Sequence, residues 1–342
     1  MIMLKKISTP NLFFLIAFVL FTLILPLILG SNQYRMVLAT TVIMFAVMAT
    51  SWNLIGGLGG QLDLAAGAYV GLGAFTTGTL LTRLNISPWL GIPLGGLVAA
   101  AIAALVCAPL FRFHVSGVWY VLSTSALVVV LYTTFMMWDS VGGPMDRYLP
   151  RYDFSLYYLR FNTYVPYYYL LLGLLYIALF LNYYIRNTRL GYQLRAIGES
   201  EAAAEVLGVN ARNSKLKALM IYAFLVGVTG GIYSCIYGYY HPRFFDSNLS
   251  VEIAILGIVG GLGIPYGPLL AAVVLVSGRE FLRSSLGTVV EGAYMAVYAV
   301  ILVVIALYRP TGLAVLVQDI YKAIKARFSK DNHVKPPVIP GE

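Results

Sequence analysis

Charge is scarce in this sequence: Asp, Glu, Lys and Arg make up 11% of 342 residues, against 60% hydrophobic residues. An average soluble domain carries roughly 25% charged residues, so the composition excludes an ordinary soluble fold. The two cysteines, Cys107 and Cys235, lie inside apolar runs, which leaves no disulfide framework and no cysteine metal site. Three scattered histidines, His114, His241 and His333, read as solvated or capping residues, and no metal ligand set is assigned. The chain has no G-x-x-x-x-G-K-[ST] and no Gly-Lys pair, so it cannot cradle nucleotide phosphates in the Walker manner. It also lacks a nucleophile and base at usable spacing, and no catalytic residue is assigned.

What the chain has in quantity is long apolar runs. Hydrophobic segments at 11–30, 36–55, 64–82, 89–109, 117–137, 166–185, 216–237, 250–264, 267–284 and 288–307 predict an all-α polytopic membrane protein with about ten transmembrane helices. Residues 1–10 form a short N-terminal segment, 11–308 the membrane domain and 309–342 a basic C-terminal tail. Ten crossings put both termini and the polar interval 186–217 on one side. All eight lysines fall on that side (Lys5, Lys6, Lys215, Lys217, Lys322, Lys325, Lys330 and Lys335), which marks it as cytoplasmic. The net charge of +9 is therefore positive-inside bias and not a nucleic-acid surface. The tyrosine-rich stretch from Asp139 to Val165 suits an interfacial belt, and the basic amphipathic run 320–328 suits the surface of an anionic leaflet. The proline-bearing end of the tail reads as disordered.

The interval 186–217 holds one short predicted helix, Glu201 to Leu207, with Ser200 as its cap and Gly208 as its stop. Two turns are marginal in water, and Glu201 and Glu205 are like charges at i, i+4, so another surface has to hold this helix. The row Ala202, Ala203, Ala204 allows close approach of a partner, and Val206 and Leu207 supply a small apolar face. A solvated connector between two spans is the plainer reading of the same residues.

Two glycine-rich interruptions, 56–63 and 260–268, mark either surface turns or irregular backbone packed against protein at membrane depth. Polar residues within spans are costly and default to functional candidates; Asn53, Gln61, Asp63, Glu252, Glu280 and Glu291 are the set considered. Asp63 would be solvated in a surface turn, and Glu252, near the outer start of its span, is placed to cap a helix. Glu280 is expected to pair with Arg279 and Arg283. The small residues of Gly67–Ala74 are explained by helix packing.

The run 194–210, Leu-Arg-Ala-Ile-Gly-Glu-Ser-Glu-Ala-Ala-Ala-Glu-Val-Leu-Gly-Val-Asn, resembles the cytoplasmic "EAA" loop of ATP-binding cassette importer permeases of the branched-chain amino acid family, LivM type. Further blocks in the family's order are similar: Gly60-Gln61 with Leu64 and 71–74, Gly117–Tyr120 with Thr124 and 138–143, Ser250–Glu252 with 260–263 and 267–268, and 309–313. Asp63, Ala65 and Ala66 depart from the family's Ser, Gly and His, and Val129 and Val141 from its Glu and Thr. The resemblance implies a coupling role for Arg195, Glu199, Glu201, Ala202, Ala203, Glu205 and Gly208, and a substrate pathway near Asn53, Gln61, Asp63, Thr124 and Glu252. It further implies two ATP-binding cassette ATPase subunits carrying ATP and magnesium, and no cofactor in this chain. A second homologous permease, an extracytoplasmic solute-binding protein and a bacterial or archaeal cytoplasmic membrane complete the expected setting. Branched-chain or related amino acids are the implied cargo. Urea, short amides or another small polar solute, or an ion-coupled secondary transporter, are the alternatives.

Overall fold

A computed structural model of the chain describes residues 9–30, 32–150, 154–286, 293–308 and 312–319. Expectations for Lys5, Lys6, Glu291, Arg309, Pro310 and the tail 320–342 lie outside the described residues. The described chain is all-α apart from one pair of two-residue strands distant in sequence and an isolated bridge between Ser155 and Arg160. In order, the helices are α1 (Thr9–Leu29), α2 (Gln33–Trp52), α3 (Ala66–Leu84), α4 (Pro88–Arg112), α5 (Gly117–Met137) and α6 (Val165–Arg186). They continue as α7 (Arg189–Glu199), α8 (Glu201–Val206), α9 (Ala211–Tyr237), α10 (Ser247–Gly260), α11 (Gly267–Ala271), α12 (Ser277–Leu286) and α13 (Ala293–Tyr308). Strands β1 (Arg147–Tyr148) and β2 (Tyr239–Tyr240) pair antiparallel, with Arg147 opposite Tyr240.

Five of the described segments are long and apolar enough to cross a bilayer: Gln33–Leu58, Pro88–Arg112, Gly117–Met137, Val165–Arg186 and Ala211–Tyr237. They differ in what they face. The apolar window of the first is 89% buried inside the chain and that of α5 only 22%, so α2 is the axis of the bundle and α5 lies at its periphery.

Small residues let α3, α4 and α9 approach backbone to backbone. A Cβ added to Gly73 would stand 1.9 Å from the Gly227 carbonyl oxygen, and one added to Gly227 would meet Ala99 at 2.7 Å. In an apolar solvent this van der Waals fit, rather than hydrophobic exclusion, is what holds helices together. The packing expected for 67–74 is thus realised against α9.

Helix ends follow local chemistry. Ser87 caps α4 by accepting from Trp89 N, with Pro88 in the first turn, and the Asn210 side chain accepts from Asn213 N at the start of α9. The tyrosine-rich segment between α5 and α6 is tied down by hydrogen bonds as well as aromatic contacts. Trp89 donates to Leu156 O, Tyr167 to Leu159 O and Arg160 to Cys235 O.

Two features differ from expectation. The second segment does not end at 55: α2 runs into a π-helical turn, Leu54–Leu58, and a second π turn, Ala272–Val276, joins α11 to α12. The eighth segment ends at Gly260, because the glycine run that follows turns the chain with Gly261 and Gly263 at positive φ.

Candidate functional site

Three places collect the residues singled out from the sequence. The first is the α7–α8 surface. The Ser200 side chain accepts from Ala203 N at 3.3 Å, so α8 starts where its cap predicts. It ends one residue short of expectation, at Val206, followed by Gly208 at φ 83°, where any side chain is strained although the space is open.

The short helix is held from inside its own chain. Ala204 is buried with Ile197 and Ala211, and the Lys215 ammonium, 1% exposed, lies 2.6 Å from a Glu201 carboxylate oxygen. The same ammonium sits over the Phe111 ring. This cation relieves the Glu201–Glu205 repulsion. The His114 Nδ1 lies 3.8 Å from an oxygen of each glutamate. His114 belongs to the turn between α4 and α5, and no sequence signal linked it to α8. Its Nδ1 and one oxygen of each glutamate lie within 4.8 Å of one another, with His114 and Glu205 exposed.

The opposite face of α8 is open. Ala202 and Ala203 are exposed, and Val206 and Leu207 are 88% and 82% exposed. Arg195 and Glu199 are exposed on α7, where the Arg195 guanidinium lies over Tyr192 and donates to Arg186 O. Of the seven residues named for coupling, six are exposed and Glu201 is turned inward to Lys215.

The second place is the junction of the two glycine runs, which meet. The Asn53 side chain accepts from Gly263 N at 3.0 Å and donates to Ile264 O at 3.2 Å, with Asn182 Oδ1 at 3.4 Å. Gly57 lies so close that an added Cβ would stand 2.6 Å from Gly263 N. The first run is mostly buried, with Gly60 and Leu62 exposed, whereas the second turns the chain with Leu262 and Tyr266 exposed. Within the first run Gly57 N and Leu58 N donate back to Asn53 O, and the Asn53 side chain partners Gly263 N and Ile264 O of the second.

Asp63 is fully buried, so of the two alternatives the solvated turn does not hold at this residue. One carboxylate oxygen accepts from Ala65 N at 2.9 Å and the other from the Tyr120 hydroxyl at 3.0 Å. Tyr69, Cys107 and Tyr222 surround it. Among the described residues, its charge faces hydroxyls, a backbone N–H and the start of α3 rather than a cation. Thr124 is tied to the same corner by accepting from Leu64 N at 3.1 Å. Gln61 is buried between this corner and the glycine junction, its backbone N–H donating to Ile55 O.

Glu252 lies apart from these four. It does not cap α10: Asp246 does, accepting from Asn248 N at 2.8 Å. Glu252 instead pairs with Arg279, which also reaches Glu280 at 3.2 Å; Arg283 lies 3.8 Å from Glu280. The expected Glu280 pairs are present, and Glu252 is an addition to them. These side chains line a cavity of about 340 Å³ whose walls come from α2, α3, α9, α10 and α12.

Comparison with known proteins follows the same lines. Residues 34–306 match the family described as branched-chain amino acid transport system / permease component. Over 303 residues the chain is 25% identical to the high-affinity branched-chain amino acid transport system permease protein LivM of Escherichia coli K12, covering 81% of this chain and 69% of that protein. It is 25% identical over 266 residues to a probable branched-chain amino acid transport permease protein, LivH, of Methanocaldococcus jannaschii, covering 73% and 82%. With BraD of Pseudomonas aeruginosa, named a high-affinity branched-chain amino acid transport system permease protein, identity is 24% over 287 residues, covering 79% and 91%. No solved structure matches the chain.

Proposed function

Because this chain belongs to the family of permease components of branched-chain amino acid transport systems, we propose that it is the membrane subunit of an ATP-driven importer carrying branched-chain or related amino acids into the cell. ATP hydrolysis belongs to separate subunits. The observation that supports this most is the two-sided character of α8: one face anchored through Ala204 and the Glu201–Lys215 pair, the other presenting Ala202, Ala203, Val206 and Leu207 to solvent. A connector helix that needed no partner would have no reason to expose two large apolar side chains at its end.

In this reading two ATPases bind the α7–α8 surface and a second homologous permease completes the membrane assembly. A solute-binding protein delivers cargo at the opposite face, and both termini lie in the cytoplasm after ten crossings. A push on α8 passes through Lys215 into α9 and from α9 into α3 and α4, whose close backbone contacts transmit it with little slack. The bundle then opens alternately to the two sides around polar positions at mid-depth. The coupling set is Arg195, Glu199, Glu201, Ala202, Ala203, Glu205 and Gly208; Asn53, Gln61, Asp63, Thr124 and Glu252 are the pathway set.

Reconstitution of the chain with its partner subunits in proteoliposomes tests this. Leucine uptake is expected to require ATP and to persist when proton and sodium gradients are collapsed. Uptake that instead follows an ion gradient and ignores ATP contradicts it.

A further inference from the structure

Resting on the reading of the cargo as an amino acid, we propose that the cavity between α2, α10 and α12 is a zwitterion site. Arg279 takes the substrate carboxylate, Glu252 and Glu280 take its ammonium, and an apolar floor of Met44, Phe45, Met48 and Val70 takes its side chain.

The case begins with charge. A guanidinium and two carboxylates stand within one cavity, each about four-fifths buried: Arg279 is 19%, Glu252 18% and Glu280 19% exposed. Partly desolvated charges are costly to keep unless they do something, and when they face a cavity rather than a packed interior the cavity is where they act. The guanidinium fork matches a carboxylate with two parallel hydrogen bonds, a geometry an ammonium cannot reproduce. An amino acid carries the same two charges as the Arg279–Glu252 pair. Entering between them, it exchanges one ion pair for two and leaves the net charge of the cavity unchanged. With Asp246 and Arg283 also on the wall, carboxylates outnumber guanidiniums three to two, which favours an incoming ammonium.

Shape and backbone agree with charge. About 340 Å³ is the lower end of small-molecule pockets, suited to a single amino acid. Phe45 lies under the Arg279 guanidinium and fixes its plane. The π turn Ala272–Val276 immediately precedes α12 and resets the direction in which Arg279 leaves the helix; such turns recur at functional sites. Urea and simple amides lack the two full charges the site is built to match.

The test uses the full chain in its assembled importer. Thr41, on the cavity wall, is replaced (Thr41→Cys) and its alkylation by a small impermeant thiol reagent is timed; the native Cys107 and Cys235 are buried. Leucine is expected to slow labelling several-fold, leucinamide and urea not to, and Arg279→Gln is expected to abolish the protection. In uptake assays Glu252→Gln and Arg279→Gln should each lower leucine transport at least tenfold with the assembled importer recovered at the wild-type level. The exchange of both charges (Glu252→Arg with Arg279→Glu) restores an ion pair but not uptake, because the side chain must still meet the same floor. Equal labelling with and without leucine, wild-type transport in either single variant, or recovery in the exchanged pair overturns the site while amino-acid import stands. A wild-type importer that carries no amino acid overturns the cargo assignment and the site together.

Discussion

Asn53 and Lys215 show how single side chains hold this molecule together. Asn53 satisfies two backbone groups of the facing glycine run, so Asn53→Ala leaves Gly263 N and Ile264 O without partners. At about 1–3 kcal/mol for each buried group left unpaired, that loss is large against ordinary protein stability. A thermal shift of the detergent-solubilised chain measures it, and an unchanged midpoint contradicts the role. Glu201→Gln removes the counter-ion of a cation that is 1% exposed, and about 1.5–3 kcal/mol of local stability is expected to go with it. Hydrogen exchange across 200–210 should rise in that variant while the core of α9 stays protected. Asn53 stood out in the sequence as a polar residue in an apolar run; its partners did not, because a contact 210 residues away leaves no local trace. The same holds for Glu252, where propensity suggested a cap and a partner on another helix prevailed.

Among the helices, α8 was legible almost whole. Ser200, three alanines and Gly208 are local signals, and local chemistry sets both its ends. Gly208→Ala is expected to cost about 1–2 kcal/mol through the left-handed backbone alone, since an added methyl meets nothing. Gly73→Leu probes packing instead. The side chain would have to displace the Gly227 backbone, and overpacking of about 1–3 kcal/mol or failure of the α3–α9 pair should appear as poor membrane expression. Five of the ten expected spans are long apolar helices among the described residues, since apolar length is a property of each segment by itself. The two π turns did not. A π turn inserts one residue without altering composition, so hydrophobic patterning passes over Leu54–Leu58 and Ala272–Val276 alike.

At the scale of the whole molecule, one end of the bundle carries an anchored helix with an exposed apolar face. A charged cavity lies between helices α2, α10 and α12, and the junction of the two glycine runs forms a separate centre. In the proposed transport cycle α8 is the handle and the charged cavity the seat. A separate ATPase is proposed to grip α8, and co-purification tests that most directly. A chain carrying Val206→Asp with Leu207→Asp, both fully outside the core, is expected to insert in the membrane and keep its fold while its yield of bound ATPase falls at least tenfold. Retention of the ATPase at the wild-type level by that variant would contradict the account.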